Sequence, residues 1–281
     1  MLATGYDPQV SEAASDYLLG SHDAELTRLA FQHRVWAEPA HALWRRAGFR
    51  RGDRLLDLGC GPGYASLDLA HLVGPEGRVV AADAAPRFLA HVRHLAAERR
   101  IGWLHAAEVD AQRLDLGERF DGAYARWLLC FLAEPERAVE GVARHLEPGG
   151  RFAVCDYFNY RAFTLAPRSA AFDRMVAAVQ EMWRANGGDL DVMSRVPAMF
   201  ERAGLEVVEI HPVSRVARPG SPGWDWPIDF FRGFLPRVVE AGLMTAGEVD
   251  ELWADWGARR EDPAAFLALP PLVDVIGERR E

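Results

Sequence analysis

Glycines and carboxylates that follow two apolar runs are the groups in this 281-residue sequence whose spacing could do chemistry. The first run, residues 54–58, leads into Gly59, Gly61 and Gly63, and the second ends at Asp83, twenty residues later. Glycines have no Cβ, so they allow a tight turn and close approach of a ligand to the backbone. A carboxylate at the end of the second strand of a βαβ unit can accept both hydroxyls of a ribose. The pattern therefore predicts a ribose-containing ligand.

The glycine spacing bears on whether that ligand is a dinucleotide. Dinucleotide loops read G-x-G-x-x-G, and their third glycine lets a helix N-terminus approach a pyrophosphate. Here Tyr64 stands where the third glycine would fall, and Pro62 removes a backbone donor. The loop therefore predicts close backbone approach without a phosphate.

The string Leu56-Asp57-Leu58-Gly59-Cys60-Gly61-Pro62-Gly63 resembles the first motif of class I S-adenosylmethionine-dependent methyltransferases. Further segments extend the resemblance over about residues 50–157. It implies S-adenosylmethionine as cofactor and a seven-stranded sheet whose last strand inserts antiparallel next to the edge strand. The residues that it implies at the cofactor are Asp57, Gly59, Cys60, Gly61, Asp83, Ala84, Asp110, Ala111, Ala125 and Arg126.

Two of these segments match particular parts of the cofactor. Asp110 and Ala111 match the family positions where an Asp accepts the adenine amino group and the next backbone N–H meets a ring nitrogen. Ala125 and Arg126 match the backbone beside the methionine end. Arg126 replaces the usual Asn or Ser, so we expect it either to reach the cofactor carboxylate or the substrate, or to be solvated at a strand end.

Polar residues near the N-terminus form a third candidate region. Glu25, Arg28 and Gln32 share one face of a predicted helix, and Tyr17 precedes them. Arg28 as counter-charge and Tyr17 as donor could close over the methionine carboxylate. A solvated face with a Glu25–Arg28 pair is the alternative. Similar Tyr-Leu-Leu-Gly…Arg-Leu…Gln-His openings occur in small-molecule methyltransferases, which favours Tyr17, Arg28 and Gln32 as cofactor-binding residues.

Composition limits the partners and the compartment. The net charge is −9 and the pI is about 5.5, without a basic run, which disfavours a nucleic-acid substrate. No apolar run approaches the ~20 residues that span a bilayer, and residues 1–21 lack a signal-peptide pattern. Cys60, Cys130 and Cys155 lack metal-ligand spacing, so we expect reduced thiols, no metal and a cytoplasmic protein. All basic residues are Arg, which suggests a GC-rich bacterial gene and excludes a catalytic lysine. Either a monomer or a homodimer is expected.

Alternating strand and helix patterns predict an α/β fold, a doubly wound Rossmann-like sheet with a helical cap. Helical patterns cover residues 11–48, with Pro39 opening a new segment, and Asp191 to Ala203; Leu205 to Ala217 and Phe266 to Gly277 each predict one strand. The predicted divisions are an N-terminal cap segment (1–48), the cofactor-binding core (49–158), a cap insertion (159–191), and the rest of the core (192–281) with a second cap insertion (219–262).

Aromatic residues in these insertions bear on the substrate. They can be ordinary core, the wall of a pocket for a small organic molecule, or an exposed dimer surface. Residues 219–227 predict a loop that could close the pocket, and the whole cap is expected to be mobile. The aromatics are Trp183, Trp224, Trp226, Phe230, Phe231, Phe234, Trp253 and Trp256.

Methyl transfer requires little from the protein beyond placing the nucleophile about 3–3.5 Å from the methyl carbon. A general base matters only for an acceptor that is protonated at the working pH. Weak candidates are Asp156, Tyr157, Tyr160 and His211, and no catalytic residue can be assigned. The sequence therefore predicts a methyltransferase for a small, fairly apolar metabolite, with a role in bacterial secondary metabolism. The alternatives are a protein that retains the cofactor without transfer, such as an accessory subunit or a cyclase, and a peptide or protein methyltransferase.

Overall fold

The computed structural model describes residues 23–280. Its strands are β1 (Arg54–Leu58), β2 (Arg78–Asp83), β3 (Leu104–Glu108), β4 (Phe120–Arg126), β5 (Leu146–Tyr157), β6 (Thr164–Ala166), β7 (Leu205–Val213), β8 (Val216–Ala217), β9 (Phe266–Ala268) and β10 (Leu272–Arg279). Its α-helices are α1 (Asp23–Arg46), α2 (Tyr64–Val73), α3 (Pro86–Arg99), α4 (Pro135–His145), α5 (Ala170–Ala185), α6 (Val196–Arg202), α7 (Pro222–Glu240) and α8 (Ala246–Arg260).

Seven strands form the central sheet, in the order β3-β2-β1-β4-β5-β10-β7. β10 runs antiparallel to both of its neighbours, whereas β1 to β5 pair in parallel. The apolar runs of β1 and β2 are almost entirely buried, as expected for parallel strands that are covered on both faces. The predicted doubly wound sheet, with its last strand antiparallel beside an edge strand, is confirmed.

Alternation along β5 shows that helices cover both faces. Phe152 stacks on Phe200 of α6, with ring centroids 5.3 Å apart. Cys155 lies three residues further along and is hydrogen-bonded to Asp274, which also accepts from Arg46 of α1. An odd spacing in a strand puts two side chains on opposite faces. The helices α1 and α6 therefore lie on opposite sides of the sheet.

The N-terminal helix differs from its prediction. Pro39 lies inside α1, which continues to Arg46, so this proline does not open a new segment. Trp36, Leu43 and Trp44 are almost fully buried on this helix, and their burial offsets the backbone hydrogen bond that a proline removes. Tyr17 lies outside the described residues. None of the helices between residues 23 and 280 is long and apolar enough to cross a bilayer.

Three predicted elements are divided in the structure. The strand predicted from Leu205 to Ala217 is β7 in the central sheet and β8 in a separate sheet. The strand predicted from Phe266 to Gly277 is two strands, because β9 joins a separate sheet and β10 joins the central one. Pro270 and Pro271 lie between them and cannot donate to a continuous ladder. The helix predicted from Asp191 to Ala203 is likewise divided into a 3₁₀ turn and α6.

The cap consists of α5, α7, α8 and a three-stranded sheet in the order β6-β9-β8. The predicted loop at residues 219–227 is mostly helical, since α7 begins at Pro222. Ser221 caps this helix by accepting a hydrogen bond from the Trp224 N–H, and Pro222 is well suited to the first turn. Any closure of the pocket by this segment must therefore move a helix.

We expect the cap to open more readily than the sheet. Amide hydrogen exchange should be faster in residues 159–191 and 219–262 than in β1 to β5, and should slow in the cap when cofactor and substrate bind. Exchange in β1 to β5, measured in the same samples, is the internal control. Equal cap protection in the free and bound protein would contradict a mobile cap.

Candidate functional site

A cleft of about 1560 Å³ lies where the carboxyl ends of the central strands face the cap. One half is lined by the glycine-containing loop and the ends of β2 and β3, and the other by the ends of β4 and β5, by α1 and by the cap. Small-molecule pockets usually enclose about 300–1,000 Å³. The cleft is therefore large enough for two ligands side by side.

The glycine-containing loop after β1 is confined from two sides. An added Cβ would lie 2.8 Å from Leu128 at Gly59 and 2.5 Å from Val92 at Gly63, and both glycines have positive φ. Gly61 also has a positive φ, 53°, but a Cβ there would meet nothing within 4 Å. The loop is thus packed at its ends, and its middle glycine leaves open space beside the cleft.

Asp83 links this loop to the end of β2. Its two carboxylate oxygens accept hydrogen bonds from the N–H groups of Gly61 and Ala85, at 2.8 and 2.9 Å. Burial raises the pKa of this carboxyl, and the backbone N–H donors oppose that effect. Asp83 and Ala84 both line the cleft, so the carboxylate is positioned there by backbone groups alone.

Asp57, at the end of β1, lies deeper. Its carboxylate accepts a 2.5 Å hydrogen bond from Ser66 of α2, and burial raises its pKa to about 6. Cys60 lies next to the cleft, and burial raises the pKa of its thiol well above the usual value. Both residues line the cleft, but the contacts of Asp57 are those of a group that fixes the loop on α2.

The segment after β3 forms the far end of the same half. Asp110 accepts a hydrogen bond from the Gln112 N–H, at 2.9 Å, and is mostly exposed. Ala111 is buried and begins a short 3₁₀ turn. Glu108 also lines the cleft, and the sequence reasoning did not single it out, although it stands two residues before Asp110.

Arg126 is neither solvated nor free at its strand end. Its guanidinium donates to the Trp36 carbonyl and to His33 Nδ1, both at 3.2 Å, so it connects β4 to α1. His33 uses its other nitrogen, Nε2, to donate to Asp68 at 3.0 Å. Ala125 is buried beside Arg126 and is absent from the lining residues described. His33 was missed as a site residue, because only the fold brings it to the end of β4.

The polar stripe on α1 contains the predicted Glu25–Arg28 pair but is not solvated. Arg28 forms two hydrogen bonds of 2.7 and 2.6 Å with Glu25, so the expected pair exists. Glu25 is 5% exposed, however, and Arg28 and Gln32 line the cleft. Gln32 accepts from Arg28 and from the Trp226 indole, both at 3.1 Å. This stripe therefore ties α1 to the cap rather than facing solvent.

The cap aromatics divide into two groups. Trp224 and Trp256 pack against each other at 5.9 Å and form core between α7 and α8. Trp226 instead stacks on Trp127, 6.0 Å away, at the cleft. Trp127 adopts a positive φ of 50°, which is rare for a bulky residue. Backbone conformations of this kind occur preferentially at functional sites. The cap residues of the predicted set that line the cleft are Trp183, Trp226, Phe230 and Phe231; the described core members are Trp224, Phe234, Trp253 and Trp256.

The structure separates the candidate bases. Asp156 is fully buried, and its oxygens accept from the N–H groups of Tyr157 and Cys130 at 2.8 and 3.1 Å. Burial raises the pKa of Asp156 to about 6. Asp156 is not among the described residues that line the cleft. His211 is exposed on the edge strand β7, also away from the cleft. Only Tyr157 and Tyr160 of this set line the cleft.

Comparison with known proteins relates this geometry to a family. Residues 56–154 match the family described as "Methyltransferase domain". The chain is 27% identical to methyltransferase GfsG of Streptomyces halstedii over 217 residues, which cover 76% of this chain and 72% of GfsG. It is 31% identical to the ubiquinone/menaquinone biosynthesis C-methyltransferase UbiE of Serratia proteamaculans over 140 residues. That match covers 47% of this chain and about half, 55%, of UbiE.

A solved structure shares the fold. The crystal structure of the [4+2]-cyclase SpnF superposes with a TM-score of 0.56, at 20% identity, over 86% of this chain and 80% of SpnF. The matched domain spans β1 to β5, which carry the glycine-containing loop and Asp83. The domain at residues 56–154 and the similar proteins therefore support a class I S-adenosylmethionine-dependent methyltransferase.

Proposed function

We propose that this enzyme transfers the methyl group of S-adenosylmethionine to a small, fairly apolar metabolite. The observation that carries the proposal is the continuous cleft, which joins the loop around Gly61 and Asp83 to an aromatic wall on the cap. A role in bacterial secondary metabolism is also part of the proposal. The likeness to bacterial methyltransferases, one of them named for ubiquinone and menaquinone biosynthesis, supports a small-molecule acceptor.

The residues present fit this cofactor. Gly61 leaves space where a side chain would project, and Asp83 presents a partly buried carboxylate suited to ribose hydroxyls. Asp57, Gly59, Cys60 and Ala84 would form the rest of that wall. Asp110 and Ala111 would hold the adenine. Arg28, Gln32 and Arg126 would surround the methionine end. Ala125, which is buried next to Arg126, and Tyr17 are proposed from the sequence alone.

The cofactor supplies an activated sulfonium methyl, and an acceptor lone pair forms the new bond as the carbon–sulfur bond breaks. The protein's part is then to orient the acceptor and to exclude water, which can account for much of the acceleration. The aromatic side chains of Trp127, Trp226 and Phe230 line the half of the cleft where the acceptor would lie.

Calorimetry tests the cofactor assignment. S-adenosylmethionine and S-adenosylhomocysteine should both bind to the purified protein, whereas NAD and ATP should not, because the loop lacks the third glycine and one donor of a phosphate site. Binding of NAD in preference to S-adenosylhomocysteine would overturn the proposal.

Positioning should outweigh acid–base catalysis. Asp156→Asn, Tyr157→Phe and His211→Ala should each lower turnover by less than the ~10²–10⁴-fold typical of a lost general base. Trp226→Ala should change the substrate KM more than kcat, because this indole lines the cleft. Steady-state kinetics at saturating cofactor measures both. A single polar variant that binds cofactor and substrate normally but transfers no methyl would identify a base instead.

A cofactor-retaining protein without transfer is the rival proposal, and the shared fold of a cyclase shows that this architecture hosts other chemistry. Release of S-adenosylhomocysteine with a matched acceptor separates the two proposals, since only a transferase forms it. Mass spectrometry of metabolites that co-purify with the protein would supply candidate acceptors. Modification of a peptide instead of a metabolite would favour the remaining alternative.

A further inference from the structure

Two phenol hydroxyls lie unpartnered in the wall of the cleft. Tyr157 ends β5, and Tyr160 begins the short 3₁₀ turn that follows it. Both line the cleft, and their rings meet edge to face with centroids 5.2 Å apart. Tyr160 is 4% exposed. Within residues 23–280, neither hydroxyl has a hydrogen-bond partner.

The rings of both tyrosines pack against other aromatic rings, and the charges of Asp156 and Arg28 act on the Tyr157 phenol. The Tyr157 ring packs 6.1 Å from the Trp127 ring, and the Tyr160 ring packs 5.9 Å from that of Phe163. Neither hydroxyl oxygen is among the fully buried atoms without a partner, so both are open to the cleft. A ligand that covers them removes them from water, which costs free energy unless the ligand carries a polar atom that faces the two tyrosines.

The two phenols remain protonated at neutral pH. Burial raises the pKa of Tyr157 well above its usual value, and it raises the pKa of Tyr160 as well. Each hydroxyl therefore keeps its proton and can donate it in a hydrogen bond. This protonation state favours hydrogen-bond donation over a role as general base.

The charges that line the cleft are unevenly distributed. The carboxylates among the described lining residues are Asp57, Asp83, Glu108 and Asp110, all of which belong to the ends of β1, β2 and β3. The half formed by α1 and the cap contributes arginines instead, Arg28 and Arg237. An ammonium group beside Tyr157 would contact aromatic rings but would find no carboxylate among the described lining residues of that half.

We infer that the Tyr157 and Tyr160 hydroxyls donate hydrogen bonds to an oxygen atom of an otherwise apolar substrate, and that they select such a molecule over a hydrocarbon or an amine. This inference rests on the proposed function, since it assigns this half of the cleft to the methyl acceptor. It makes the two tyrosines specificity-determining residues.

Three probes of similar size and the same ring system test the inference: 2-naphthol, 2-methylnaphthalene and 2-naphthylmethylammonium. Their affinities are measured by calorimetry on protein saturated with S-adenosylhomocysteine, for the wild type, Tyr157→Phe, Tyr160→Phe and the double variant. We expect wild-type protein to prefer 2-naphthol. Each substitution should weaken the binding of 2-naphthol by about 3- to 10-fold, which corresponds to the contribution of one hydrogen bond. Binding of 2-methylnaphthalene should change by less than about twofold, and this probe thereby controls for the folding of each variant.

Three results would overturn the inference. They are equal wild-type affinity for 2-naphthol and 2-methylnaphthalene, tighter binding of the ammonium probe than of 2-naphthol, and unchanged 2-naphthol affinity in the double variant. Binding of S-adenosylhomocysteine is measured first, on the same wild-type sample. Failure there overturns the proposed function, whereas normal cofactor binding with any of the three results overturns the tyrosine assignment alone.

Discussion

Replacing Asp83 with alanine should weaken S-adenosylhomocysteine binding by about 1–3 kcal/mol, or roughly 5- to 150-fold. The carboxylate is partly buried beside the cleft, so its removal would deprive the ribose hydroxyls of a charged partner in a poorly hydrated place. The variant also loses the acceptors that hold the N–H groups of Gly61 and Ala85. Calorimetric titration of wild-type and variant protein measures the difference.

Two further variants separate charge from loop structure. Asp83→Asn keeps one oxygen acceptor, so its affinity for S-adenosylhomocysteine should lie between those of the wild type and of Asp83→Ala. Asp121→Ala is the matched control, because Asp121 also accepts a hydrogen bond from a backbone N–H, that of Arg54. Asp121 lies near the start of β4, at the opposite end of the strands from the cleft. It should leave cofactor affinity unchanged. Unaltered affinity in Asp83→Ala would place the ribose elsewhere.

Gly61→Ala should also weaken the binding of S-adenosylhomocysteine by about 5- to 150-fold, because the added methyl group would occupy the space that the cofactor needs. No protein atom lies within 4 Å of that Cβ, so the loss would come from the ligand and not from a clash within the protein. The positive φ of 53° should in addition lower the free energy of unfolding by about 1 kcal/mol.

Gly117→Ala is the control for backbone strain. Gly117 has a comparable positive φ of 66°, it also has open space at its Cβ, and it lies outside the cleft. The two variants should therefore lose similar stability in thermal unfolding, while only Gly61→Ala loses cofactor affinity. Equal cofactor affinities in both would show that the middle of the loop does not contact the ligand.

The sequence alone predicted the sheet and the loop that lines one half of the cleft. Gly59, Gly61, Gly63 and Asp83 lie within one βαβ unit, where short-range spacing and alternation of apolar runs set the backbone path. An open parallel sheet then brings the strand ends to one edge. Local information was therefore sufficient for the loop, for the position of Asp83 at the end of β2, and for an antiparallel last strand once the family resemblance was recognised.

The tertiary structure decided what depends on contacts between distant segments. Arg126 meets His33 across 93 residues of chain, and Trp226 meets Gln32 across 194, which no local pattern encodes. The same holds for Asp156, which strand and turn geometry directs to backbone N–H groups instead of the cleft. Helical spacing made Trp226 and Trp256 equally apolar candidates for the pocket wall. Only the packing of α7 on α1 and α8 places one at the cleft and the other in the cap core, because burial is a property of neighbours and not of a residue's own position in its helix.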